Sequence, residues 1–132
     1  MKPIATFSPA SIAQVELHCT DLNAARRYYC GSLGLSLVGQ VGDSIFVRCG
    51  EVNLIIQQTS EPKRGSTIYF NADGRIHEAT EALKAQGIVF QELPKCIARG
   101  HLGSDVWLGF FSDPWGNQLA LLSNMPATDG RI

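Results

Sequence analysis

The order of elements repeats halfway along the chain, and that repeat limits the possible folds more than any other feature. Residues 13–20 alternate polar and apolar side chains, as a half-buried strand does, and Asp21 then offers a side-chain cap to the run LNAARRYYCGSL. Leu22, Ala25, Tyr29 and Leu33 keep helical spacing there, and Gly34 ends the helix. Three strand-like segments follow, LSLVGQV, SIFVRCG and EVNLIIQQ, the last two joined at Gly50-Glu51 by a two-residue hairpin turn. The pattern then restarts. STIYFNAD reads as a strand, RIHEATEALKAQ as a helix with Ile76, Ala79 and Leu83 on one face, and Gly87 closes it. IVFQEL, VWLGFFSD and GNQLALLSN supply three more strands, with the longer connection PKCIARGHLGSD between the first two. Asp21 and Asp73 lie 52 residues apart, whereas Gly34-Leu35 and Gly87-Ile88 lie 53 apart.

Strand, helix and three strands, twice over, predict an α+β fold of two tandem βαβββ units. Unit one covers about 12–58, a linker broken by Pro62 and Gly65 covers 59–65, and unit two covers about 66–124. All of it is expected to form one domain, residues 1–132, because 132 residues suffice to bury about two-thirds of the unfolded surface. The arm 1–11, with Pro3 and Pro9, and the tail 125–132 show no periodicity and are expected to lie over the surface or move.

Charge then removes some functions. With 45% apolar residues, 17% charged and a net charge of −1, the chain has no basic excess to neutralise phosphates, and no nucleic-acid partner is expected. MKPIATFSPAS lacks a continuous apolar core, and no run approaches the roughly 18 apolar residues of a membrane span. No membrane partner is expected, and the location is expected to be cytoplasmic. Cys19, Cys30, Cys49 and Cys96 form no CxxC and read as reduced, mostly buried thiols. His77 and His101 make no HxxxH or HExxH pattern.

Side-chain alternation assigns faces. The helix of each unit must bury its apolar stripe on one face of a sheet. Val15, Leu17 and Cys19 suit that face, which turns Gln14, Glu16 and His18 to the other. The hairpin turn pairs Cys49 with Val52, Arg48 with Asn53 and Phe46 with Ile55, and cross-strand partners share a face. The 52-residue offset maps Gln14 onto Ser66, so Ser66, Ile68 and Phe70 are expected on the corresponding face of unit two. Phe46, Ile55, Ile68 and Phe70 are too apolar for a solvated surface. The mixed sheets are therefore expected to curl into a cup, with the helices on the outer face.

DLNAARRYYCGSLGL near the start and FFSDPWGNQLALLSN near the end resemble the vicinal oxygen chelate superfamily over about residues 12–124. That group contains glyoxalase, extradiol dioxygenases, fosfomycin-resistance enzymes and bleomycin-binding proteins. Within it, IARGHLGSDVWLGFFSDPWGNQLALLS is most similar to a bacterial subgroup of glyoxalase/bleomycin-resistance-like proteins. The resemblance implies two βαβββ units forming a cup, and in metal-using members four His, Glu or Gln ligands line it. Carried onto this sequence, those positions are Gln14, Ile55, Ser66 and Ala120. Ile and Ala cannot ligate, so no metal and no other cofactor is expected. The resemblance also adds Leu108, Phe110 and Leu122 to the cup and implies a homodimer.

The expected function is binding of a small, partly apolar and anionic molecule, with Gln14, Glu16, His18, Arg48 and Asn53 as the polar set. Arg48 would either clamp an anion bidentately or form an ion pair with Glu16. The alternative is an enzyme of the lyase, isomerase or dioxygenase type. It would use a divalent metal or His18 and Glu16 as an acid–base pair. Whether any reaction is catalysed stays open. Arg99, His101 and Trp107 flank the long connection, which reads either as a lid or as a surface turn with Trp107 on the helix side. Trp115 reads as an exposed aromatic available to a subunit contact.

Overall fold

Asp21 caps the first helix as expected: its Oδ1 accepts from the backbone N–H groups of Asn23 at 2.9 Å and Ala24 at 3.1 Å. The computed structural model describes residues 12–101 and 103–127, leaving out the side chain of His101. The arm 1–11 and residues 128–132 of the expected tail lie outside the described residues.

Unit one consists of β1 (Gln14–Cys19), α1 (Leu22–Arg26) continuing into a π-helical turn (Arg27–Ser32), β2 (Ser36–Val41), β3 (Ser44–Cys49) and β4 (Val52–Gln58). Unit two consists of β5 (Ile68–Asn71), α2 (Ile76–Ala85), β6 (Phe90–His101), β7 (Ser104–Ser112) and β8 (Gln118–Pro126). The repeat is thus realised element for element. The sheets run β1-β4-β3-β2 and β5-β8-β7-β6, with β1 parallel to β4, β5 parallel to β8 and the other pairs antiparallel. Gly50, at φ +60, turns the β3–β4 hairpin and fixes the expected pairs Cys49 with Val52, Arg48 with Asn53 and Phe46 with Ile55.

Two stretches differ from expectation. The connection 94–105 is mostly strand: β6 runs through it and slips register repeatedly against β7. Pro94 falls at one slip, between the pairs Glu92–Phe110 and Lys95–Leu108, where its missing N–H costs the ladder nothing. Met125 and Pro126, expected in the tail, belong to β8 and pair with Asp105 and Ser104.

One core joins the units, with Tyr29, Ile45 and Ile56 from the first and Ile76, Phe111 and Leu119 from the second all fully buried. The turn between β7 and β8 is bolted to unit one. Tyr29 Oη donates to Asp113 Oδ2 at 2.6 Å, Asn117 Nδ2 donates to the His18 carbonyl at 2.9 Å, and Trp115 Nε1 donates to Thr20 Oγ1 at 2.8 Å. Trp115 is therefore half-buried against its own chain, which corrects the expectation of an exposed aromatic.

Candidate functional site: the face of the sheets away from the helices

On the first sheet the expected face is assembled. Leu17 and Cys19 are buried toward α1, which leaves Gln14, Glu16 and His18 on the opposite side. Register sets Gln14 beside Asn53, Glu16 beside Ile55, and His18 beside Gln57, a face member not foreseen from the sequence. The hairpin adds Phe46 next to Ile55 and Arg48 next to Asn53. Gln57 was legible in principle, since it follows Asn53 and Ile55 at alternate positions.

Hydrogen bonds fix the state of His18. Its Nδ1 accepts the Lys63 backbone N–H at 3.0 Å, so in the neutral ring Nε2 carries the proton and donates it to Glu16 Oε2 at 3.1 Å. Both ring nitrogens are occupied, and the ring ties the linker to β1. Arg48 donates through Nε to Asn53 Oδ1 at 2.8 Å, and among the described ion pairs none joins it to Glu16. Among the described residues its terminal amino groups meet no carboxylate, and the side chain lies on an exposed surface.

The second sheet corrects part of the expected face. Ile68 and Phe70 pack against the core, on the helix side. The residues turned the other way are Tyr69, beside Ala120, and Asn71, beside Leu122. The reason is local. Asp73 does not cap α2; it sits at φ +53 in a turn, the cap position is Arg75, and no side chain caps it. An offset anchored on Asp73 therefore has the wrong parity, while the 53-residue spacing of Gly34 and Gly87 has the right one. Ser66 precedes β5 and is exposed. Leu108 pairs with Leu122 and Phe110 with Ala120 on the same face as Tyr69, whose ring meets Phe110 edge-on at 6.3 Å. Tyr69 is an exposed aromatic that the wrong parity had turned inward.

Trp107 points to the helix side, its ring 5.0 Å from His77 on α2. Arg99 and Gly100 bind the buried Asp105, at 3.3 and 2.9 Å, within the β6–β7 hairpin rather than in a lid. The His101 side chain lies outside the described residues.

A metal does not suit the residues present. The family's ligand positions carry an amide at Gln14 and hydrocarbon at Ile55 and Ala120, and the β5 residue beside Ala120 is Tyr69 rather than Ser66. Among the described residues, no three His, Cys, Asp or Glu side chains converge. That donor set does not fit a divalent ion.

A family model described as the Glyoxalase/Bleomycin resistance protein/Dioxygenase superfamily matches residues 11–121. The chain belongs to this superfamily. Solved structures of similar fold include the lactoylglutathione lyase from Agrobacterium tumefaciens, with a TM-score of 0.71 at 22% identity over 89% of this chain and 96% of that one. A glyoxalase/bleomycin resistance protein/dioxygenase from Alicyclobacillus acidocaldarius gives 0.71 at 20% identity over 94% and 96%. A virulence protein from Salmonella typhimurium gives 0.71 at 20% identity over 89% and 98%. At such identities the likeness shows the shared fold. No match was found among curated proteins. In the described residues of this superfamily member, no helix is long and apolar enough to cross a membrane.

Proposed function

We propose that this superfamily member binds a small, partly apolar anion on the face formed by β1, β3 and β4, without a metal. The observation that carries this reading is Arg48. Its Nε is fixed by Asn53 at 2.8 Å, and no carboxylate pairs with it among the described ion pairs, so a bidentate acceptor finds the guanidinium already oriented. Phe46 and Ile55 stand beside it and suit an apolar body on the ligand. The protein works as a cytoplasmic homodimer: the outer strands β2 and β6 expose Val38, Val41, Leu93 and Ile97, apolar groups that a second copy would cover.

A second reading, an enzyme of the lyase, isomerase or dioxygenase type, draws on the Glu16–His18 contact. It is the weaker one, because the Lys63 N–H holds the only unprotonated nitrogen of the neutral ring. Titrating the 15N-labelled protein with benzoate and phenyl phosphate, with chelator present, tests the first reading. Saturable shifts at the Arg48 Nε–H and at the Phe46 and Ile55 amides are expected, and Arg48→Ala weakens binding at least tenfold. Shifts that require an added divalent metal, or none at Arg48, contradict it.

A further inference from the structure

Two cavities lie in the seam between the units, away from the face just described. One, of about 380 Å³, is walled by α2, β5 and the residues Leu33 and Leu35 just before β2; the other, of about 390 Å³, is walled by the β3–β4 hairpin, β1 and β5. Cys49, Phe70 and Asn71 line both, so they are two arms of one bent crevice between the units. Small side chains make the room, with Ala79 and Ala82 on the α2 side and Cys49 at the bend.

We propose that this crevice is a second binding site, for a neutral and mostly apolar small molecule. Each arm has the volume of a small-molecule pocket, for which about 300–1,000 Å³ is usual. Among the described residues, no Asp, Glu, Lys, Arg or His lines either arm, so a charged ligand would lose its hydration and gain no partner there. Burial pushes the Cys49 thiol up from its ordinary range, in keeping with a neutral lining. A ligand seated here touches both units and binds only while they are packed together, so it raises the thermal midpoint as well.

The test is a fluorescence titration of the full chain with N-phenyl-1-naphthylamine, a neutral apolar amine. One saturable transition is expected, unaffected by saturating benzoate, and the bound probe slows iodoacetamide modification of Cys49 at least fivefold. Ala79→Phe fills the α2 arm and weakens binding at least tenfold. Ala82→Phe, at an exposed helix position on the same wall, repeats the test should the first variant not fold. Absence of saturable binding overturns the proposal, as does unchanged affinity in the folded variants. Displacement by benzoate places the probe on the Arg48 face and also overturns it. If the probe splits a dimer, the crevice is a contact between copies, and the proposal falls in that case too. Since benzoate and the naphthylamine report separate sites, failure of one leaves the other standing.

Discussion

Asp113 is 4% exposed, and its carboxylate takes four donors: the backbone N–H groups of Trp115 and Asn117, the Asn117 amide and the Tyr29 hydroxyl. The hydroxyl comes from the other unit, so Tyr29→Phe removes a bond to a charged group and is expected to destabilise the fold by about 1.5–3 kcal/mol in urea denaturation. The pH dependence has a definite sign. Burial, and next the Asp113 charge, push the Tyr29 phenol far above its ordinary 10.0, and Tyr28 is raised by the same two causes. Below about pH 10 both the folded and unfolded chains keep these protons, and the contribution is whole. Above that, the unfolded chain releases them first and stability falls. Urea midpoints measured from pH 7 to 11 are expected to decline above 10, and less steeply in Tyr29→Phe. A flat profile would refute this assignment. The orientation of Arg48 was legible in the sequence, because a two-residue turn at Gly50-Glu51 dictates its pairing with Asn53. The Lys63 hold on His18 was not, because the linker has no periodicity from which its path can be read.

At the scale of elements, alternation predicted β1, β3 and β4 correctly down to which side chains share a face. It failed at β5, where the Asp73–Gly74 turn replaced a capped start and shifted the strand by one residue relative to the repeat. The π-helical turn at Arg27–Ser32 also escaped notice, since an i,i+3/i+4 pattern reads the same until the extra residue is counted. In β6, bulges around Pro94 hid a strand that looked like a loop. That strand depends on Gly109: a Cβ there would lie 2.8 Å from Pro94 Cγ, and a proline ring cannot swing away. Gly109→Ala is therefore expected to cost about 1–3 kcal/mol. Adding Pro94→Ala should recover part of the loss, a coupling that a double-mutant cycle in urea measures. Additive losses would show that the contact is not the cause.

For the molecule as a whole, each sheet keeps one face for the core and leaves one free. The free face of the first sheet combines a guanidinium, an amide and a carboxylate–imidazole pair with Phe46 and Ile55. That of the second sets the exposed Tyr69 against Phe110, with Glu92 and Lys95 of β6 beside Phe110 and Leu108. Sedimentation velocity is expected to give a species of twice 14.3 kDa, and Val41→Lys with Ile97→Lys should raise its dissociation constant at least tenfold; a monomer at all concentrations would refute the dimer. What matters most is whether Arg48, and no metal, holds an anion on the first sheet. Native mass spectrometry of protein purified without chelators answers that in one step. The wild type is expected to carry an organic adduct, free of stoichiometric divalent metal, that Arg48→Ala loses. A divalent ion retained one per chain, or an adduct held equally well by Arg48→Ala, would contradict it.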